Sequence, residues 1–324
     1  SAVKKVFSGD FAGALEDVKN AGKESIDAIT GVNNTFDKGV EFVEKNKKEP
    51  FFMYWADPIP HAALQAPKRW VDYYVKKFGV EEPYLGNRGY FPSRNPRATY
   101  AAMVSYLDEN VGKLVAQLKK EGIYENTLII FTSDNGPTYN GGTDSQWFDS
   151  AKPFRSEYGY GKGHLYEGGI RIPMIASWPA KIKSGTESDL ISAHYDVMAT
   201  LSEITNQSKP ESTDGISFLP TLLGEKNKQK HHEFLFWEFP EYGGQVAIRI
   251  GEWKVIRRNL KDKKAEPTLE LYNLNTDIRE ENNVAEMHPD ILQKAAKIFE
   301  TEHTNAEVER FRIPLVEGGL LTNE

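Results

Sequence analysis

Eleven residues constrain this chain more than any others: Thr127-Leu128-Ile129-Ile130-Phe131-Thr132-Ser133-Asp134-Asn135-Gly136-Pro137. An apolar, β-branched and aromatic run enters a polar cluster and stops at a Gly-Pro turn. That pattern predicts a strand buried on both faces, as in a parallel sheet. In open α/β sheets, ligands bind beyond the carboxyl ends of such strands. Asp134 and Asn135 would stand there side by side, a carboxylate and an amide carbonyl. Both are hard oxygen donors, suited to Ca²⁺ or Mg²⁺ and not to a soft metal. Asp-Asn-Gly is also ordinary turn chemistry, and taken alone these residues make a turn.

Composition removes several classes of function. With 324 residues the chain can build one large domain and a smaller one. A formal charge of −7 argues against a nucleic-acid partner, which would meet a basic surface. No apolar run approaches the roughly 18 residues of a membrane span. The first residues show no secretory signal, though a trimmed secreted protein would read the same way. Cysteine is absent, which excludes disulfides, thiolate metal sites and cysteine nucleophiles within this sequence.

Along the chain, residues 1–35 carry only a weak helical pattern near Phe11–Val18. A helix is expected over Thr35–Asn46, with Phe36, Val40 and Val43 on one face, stopped at Pro50. Phe51-Phe52-Met53-Tyr54-Trp55-Ala56 reads as a second buried strand, ending in Asp57-Pro58-Ile59-Pro60-His61. That places His61 at a strand end among prolines; a lone histidine is otherwise more often a structural hydrogen bonder. Pro67 to Tyr90 reads as an aromatic, irregular covering segment. Pro96 to Glu121 has apolar residues at spacings of three and four, from Tyr100, Met103 and Val104 to Leu118, which predicts a long amphipathic helix ended by Gly122.

A long loop, Thr138 to Tyr160, then leads to Gly161-Lys162-Gly163-His164-Leu165-Tyr166-Glu167-Gly168-Gly169-Ile170-Arg171-Ile172-Pro173. Glycines on both sides of Lys162 allow the backbone close to a ligand, so this lysine is a candidate to face an anion; most lysines are simply solvated. A third buried strand is expected at Met174–Trp178 and a helix at Ile191–Thr205. Asp214 to Gly224 reads as a docking segment, and Glu225 to His232 as a linker with His231 and His232 on the surface. Four short strands follow, Glu233–Phe239, Val246–Ile250, Trp253–Arg258 and Thr268–Leu274, with a Gly251-Glu252 hairpin and a closing helix from Pro289 to about His303. The expected domains are therefore 1–225, an α/β layer, and 226–324, a small antiparallel sheet with a helix.

Together these segments resemble the sulfatases, the arylsulfatase-like branch of the alkaline-phosphatase superfamily, from about Thr35 onward. The resemblance rests on the strand ending in Asp134-Asn135-Gly136, on Lys162 with Glu167-Gly168-Gly169-Ile170-Arg171-Ile172-Pro173, on Pro60-His61, on Asp214–Gly224, and on Glu270-Leu271-Tyr272-Asn273-Leu274 with Glu280–Val284. It implies a mostly parallel central sheet flanked by helices, plus a small C-terminal antiparallel sheet. It also implies a sulfuric ester hydrolase acting at a Ca²⁺ site, on a sulfated small molecule or glycan, in a periplasmic or extracellular setting. Asp134 and Asn135 would be metal ligands, and Lys162 and His61 would contact the sulfate and the leaving-group oxygen. A cation aimed at the developing negative charge is worth about 4 kcal/mol at about 4 Å and an effective dielectric near 20, before desolvation.

The sequence also departs from that family. The sulfatase nucleophile is a formylglycine made from Cys or Ser in a Cys/Ser-x-Pro-x-Arg motif, and the nearest string here, Tyr90-Phe91-Pro92-Ser93-Arg94, has Tyr at the converted position. The family's upstream Asp ligands, and its Lys and His of the first half, have no match either. The expectation is a C-terminal portion with half a metal site, weak Ca²⁺ affinity and no nucleophile of its own. The alternatives are a non-catalytic protein that binds a sulfated glycan or a partner, and a phosphoesterase of the same superfamily. Against the phosphoesterase, the sequence lacks an obvious Asp-x-x-x-His pair near the Asp134 strand, and the Lys162-to-Pro173 string favours a sulfatase.

Overall fold

The structure is a computed structural model describing residues 36–262 and 264–313. The weak helical pattern near Phe11–Val18 lies outside those residues. The chain divides into two compact units, Ser1–Thr127 with Asn140–Asp144, and Leu128–Tyr139 with Ser145–Glu324.

The first unit is helical. Helix α1 covers 36–46, α2 is Lys68–Phe78 and α3 is Pro96–Lys120. The last begins with proline at its first position, where the missing N–H costs nothing, and ends before Gly122 at φ +74°. Met103 and Tyr106 of α3 pack with Ile59 and Leu64 into a small core, with Trp70 against it. The apolar stripe is not all buried: Val104 is exposed and Ala98, Ala101 and Ala102 take the inner face.

Two expectations fail in this unit. Residues 51–56 form no strand among the described residues, and Phe52 and Tyr54 are exposed. The composition favours a strand, but a strand requires a hydrogen-bonded neighbour as well as β propensity. Pro67 to Tyr90 is not irregular throughout, because it contains α2. Trp70, Tyr73, Tyr74 and Phe78 recur at helical spacing, although aromatic residues have modest helix propensity. Packing on α3 decides the outcome. Trp70 Nε1 donates to Glu109 Oε2 at 2.8 Å, Arg69 reaches both Glu109 oxygens at 2.7 and 2.5 Å, and the Tyr74 and Ser105 hydroxyls lie 2.7 Å apart.

In the second unit, β1 (Ile129–Thr132) and β2 (Met174–Ser177) pair antiparallel, with Ile129 opposite Ser177. The expected parallel direction and two-sided burial do not hold for this pair. Met174 and Ile175 are exposed. The short helices α4 (Ser145–Phe148) and α5 (Glu167–Ile170) lie between the two strands in sequence, and α6 (Asp196–Ile204) and α7 (Leu219–Leu222) follow.

The four C-terminal strands form where the pattern placed them: β3 (Leu235–Phe239), β4 (Gln245–Ile250), β5 (Trp253–Arg258) and β6 (Thr268–Asn273), an antiparallel meander in chain order. Ile250 pairs with Trp253, and Gly251 at φ +58° makes the tight hairpin. Alternation gives the sheet two buried faces. Val246, Ile248, Val255 and Leu271 meet Ile291, Ala295 and Phe299 of α8 (Pro289–Glu302). Ala247, Ile256 and Tyr272 meet Leu165 and Tyr166. Among the described residues no helix is long and apolar enough to cross a membrane.

Glu109 anchors α2 to α3. The Lys113 hydrogen bond above all, with those from Arg69 and Trp70, outweighs partial burial and brings its carboxyl down to about 2. A depressed carboxylate stabilises the fold above its unfolded pKa and loses that contribution as pH falls through the folded one. Thermal melts of the native chain should therefore decline in midpoint between about pH 4.5 and pH 2. Glu109→Gln should lower the midpoint at pH 7 and flatten that decline.

Candidate active site

The two segments that carry Asp134 and Lys162 are locked together through their backbones. Gly136 N–H donates to Gly169 O at 2.8 Å, and Lys162 N–H donates to Pro137 O at 2.9 Å. This approach is possible only with glycine. A Cβ on Gly136 would sit 1.9 Å from Gly168 O, and one on Gly161 would sit 2.3 Å from Pro137 O. The turn after β1 that carries Asp134 and Asn135 is thereby joined, backbone to backbone, to the later segment that carries Lys162.

The turn itself is held from several sides. Ser133 Oγ donates to Asn135 O at 3.0 Å, and Asn135 Nδ2 donates to Gly136 O at 2.9 Å. His194 Nε2–H donates to Ser133 O at 2.8 Å. The sequence reading passed over His194, which stands two residues before Asp196 at the start of α6; nothing in its local pattern distinguishes it. The Asp134 carboxylate is exposed, with the Ser133 hydroxyl 3.5 Å away. The donor chemistry of Asp134 and Asn135 fits Ca²⁺ in kind and supplies two of the about six to eight oxygens that ion takes. Among the described residues no cluster of three or more His, Asp or Glu could complete such a shell. Lys162 forms no ion pair among the described residues, so its charge is uncommitted.

Behind this surface lies a buried charge cluster. Glu167, the first residue of α5, is 2% exposed, and Lys254 on β5 is wholly buried. Lys254 Nζ lies 2.8 Å from Glu167 Oε1 and 3.0 Å from Glu280 Oε1. Glu280 Oε2 accepts the Glu167 backbone N–H at 2.6 Å. Arg171 and Arg249 approach the other Glu167 oxygen at 3.2 and 3.7 Å. Burial pushes both carboxyls up. For Glu167 the Lys254, Arg249 and Arg171 cations overcome it, and its pKa ends below the ordinary value. For Glu280 burial, reinforced by repulsion from Glu167, prevails and its pKa is raised. Lys254 shares the inner sheet face with Ile256, and that alternation is the one sequence signal that could have found it.

A second cluster closes the same face. Glu270 accepts the hydroxyls of Tyr166 and Tyr272 at 2.6 and 2.9 Å, and Arg258 clamps its other oxygen at 2.9 and 2.7 Å. Burial, then hydrogen bonding and charge from Glu270, raises both tyrosine pKa values. Farther along, Asp196 accepts backbone N–H groups of Ala193 and Ile216, each at 2.8 Å, and holds the Asp214–Gly224 segment against α6. His232 is not a surface residue as expected, because its Nε2 lies 2.8 and 3.0 Å from the two Asp196 oxygens. Gln229 likewise ties the expected linker back, donating to Ser217 O and accepting from Thr221.

His61 belongs to the first unit. It is exposed, its Nδ1–H donates to Ala62 O at 2.6 Å, and Tyr90 meets its ring edge-on at 5.8 Å. Tyr90 is therefore a packing neighbour of His61, with φ +64°.

The chain and its fold match known proteins. The Sulfatase family profile covers residues 19–207, more than half of the 324-residue chain. A profile for the C-terminal region of N-sulphoglucosamine sulphohydrolase covers residues 156–303. The chain belongs to the sulfatase family, and with that to the α/β, alkaline-phosphatase-like class expected from its sequence. It is similar to an N-acetylgalactosamine-6-O-sulfatase of Bacteroides thetaiotaomicron, at 30% identity over 285 residues, covering 82% of this chain and 50% of that protein. It is similar to arylsulfatase A of Homo sapiens, at 31% identity over 219 residues, covering 65% of this chain and 36% of that one. Among solved structures, Ps i-CgsB matches with a TM-score of 0.66 and 29% identity, over 83% of this chain and 54% of that one. It has also been solved in complex with a neocarrahexaose. The chain thus spans about half the length of the first of these relatives.

Removing Lys254 would leave two buried carboxylates without their cation. Lys254→Ala should lower unfolding stability by about 3–5 kcal/mol in urea titrations at neutral pH. Lys254→Ala combined with Glu167→Gln and Glu280→Gln should recover part of that loss.

Proposed function

We propose that these residues serve the hydrolysis of a sulfate monoester carried by a sugar. The observation that carries this reading is the backbone lock that joins the segment of Lys162, which forms no ion pair among the described residues, to the turn of the hard donors Asp134 and Asn135. The relative named N-acetylgalactosamine-6-O-sulfatase and the neighbour solved with a neocarrahexaose support a sugar as the carrier.

Lys162 would contact the sulfate and the leaving-group oxygen and stabilise negative charge as the ester bond lengthens. Asp134 and Asn135 would be two ligands of a Ca²⁺ ion, which supplies Lewis-acid stabilisation of the same charge when bound. The Ser133 and His194 contacts would hold that turn in place. His61 would contact the sulfate or the leaving-group oxygen, a role drawn from the family resemblance. These 324 residues hold no Cys and no Ser in a Cys/Ser-x-Pro-x-Arg string for conversion to a formylglycine, so this chain by itself should bind a sulfate ester without turning it over.

Calorimetric titration of the native chain with sodium sulfate tests the reading. Binding should be measurable and weaken about tenfold or more, about 1.4 kcal/mol, in Lys162→Ala. An unchanged affinity in that variant would overturn the assignment. Ca²⁺ titration should show weak binding that Asp134→Asn reduces further, and tight stoichiometric binding would contradict the two-ligand account.

A further inference from the structure

Beside Lys162 stands a group of aromatic rings that neither the charge clusters nor the metal turn uses. Tyr242, in the loop between β3 and β4, lies against Gly163, where a Cβ would meet its ring carbon Cε2 at 2.7 Å. Phe239 stacks with Tyr242 at 6.1 Å and 20°, and the His164 ring lies 5.3 Å away. Tyr139, two residues beyond the Pro137 carbonyl that accepts from Lys162, meets Tyr158 edge-on at 4.4 Å. Tyr139 also hydrogen-bonds Tyr158 and Tyr242; burial first, then these contacts, pushes it up to about 12. The rings brace one another, yet Tyr158 remains 68% and Tyr242 50% exposed.

Two features argue that this exposure has a use. Tyr242 holds φ +49°, a left-handed backbone that a bulky residue rarely adopts. A glycine would sit there without cost, and Gly243 and Gly244 follow directly. Rigid aromatic faces are costly to leave in water, but they match the C–H face of a pyranose, whose weakly positive hydrogens meet the negative π face. A site with one cation for an anionic group and aromatic walls for the rest is the usual composition of a small-molecule pocket.

We propose that Tyr158 and Tyr242 form the platform on which the sugar ring of the sulfated substrate stacks, with Tyr139 as the residue that positions them. This rests on the reading that Lys162 receives the sulfate, and it assigns the recognition of the sugar to residues separate from the recognition of the sulfate. A ligand anchored by sulfate alone would gain nothing from the rings. One with a pyranose attached would gain affinity and a fixed orientation of the ester.

The test is a calorimetric or NMR titration of the native chain with N-acetylgalactosamine 6-sulfate, unsulfated N-acetylgalactosamine and inorganic sulfate. The wild-type chain should bind the sulfated sugar more tightly than sulfate. Tyr242→Ala and Tyr158→Ala should each weaken the sulfated sugar about tenfold and leave inorganic sulfate unchanged. Tyr158 is mostly exposed, so its replacement leaves the fold intact if Tyr242→Ala proves unstable. A sulfated sugar bound no more tightly than sulfate, or variants that lose both ligands alike, would overturn the platform. Failure of the Lys162 reading gives a different pattern: sulfate does not bind, while the unsulfated sugar still binds and is still weakened by Tyr158→Ala. The platform would then stand alone.

Discussion

The structure of the second unit turns on one buried ammonium group. Lys254 lies between two carboxylates that come from segments 113 residues apart, Glu167 at the start of α5 and Glu280 after the last strand. Burying three charges is expensive, and replacing such a group with apolar side chains often costs little stability. What the ions supply instead is placement. Glu167 has one position in which its oxygens meet Lys254, Arg249 and Arg171 while its own N–H reaches Glu280. The glycines that follow Glu167 are thereby set where Gly136 and its turn can reach them. The C-terminal sheet is a separate layer in sequence, but it fixes the backbone from which the chemistry of the site is built.

Much of this was legible in the sequence, and the parts that were not share a cause. The four C-terminal strands, the hairpin at Gly251, the long helix from Pro96 and the closing helix from Pro289 follow from local periodicity and turn chemistry. The strand-end context of Asp134 and Asn135 and the glycines around Lys162 marked two segments that backbone bonds from Gly136 to Gly169 and from Lys162 to Pro137 join. The misreadings occur where distant partners decide. Phe51–Ala56 has the composition of a strand, but among the described residues no neighbour pairs with it. Lys68–Phe78 is a helix because Glu109 and Ser105 receive its aromatic and basic side chains. His232 looked like a surface residue within a polar stretch, yet Asp196, from 36 residues earlier, takes it in. Lys254 likewise reads as a solvated charge unless the sheet face it occupies is known to be covered.

The site separates its tasks by the kind of group that performs them. Backbone bonds and glycines join the Asp134–Asn135 turn to the Lys162 segment. Charged side chains in the interior tie β5 to Glu167 and Glu280. Aromatic side chains, Tyr158 and Tyr242 among them, stay exposed on loops. Each task rests on different residues, so one can be altered without disturbing the others.

The interlock of Gly136 with Gly169, and of Lys162 with Pro137, has a consequence for how such a protein can evolve. The way the Lys162 segment meets the Asp134–Asn135 turn is written in main-chain geometry, which most substitutions leave untouched. Only a change at the glycines themselves would alter it, and the first added methyl group there would collide with a carbonyl. Selection acting on the surrounding loops can therefore vary their side chains across a lineage while this backbone junction is inherited unchanged.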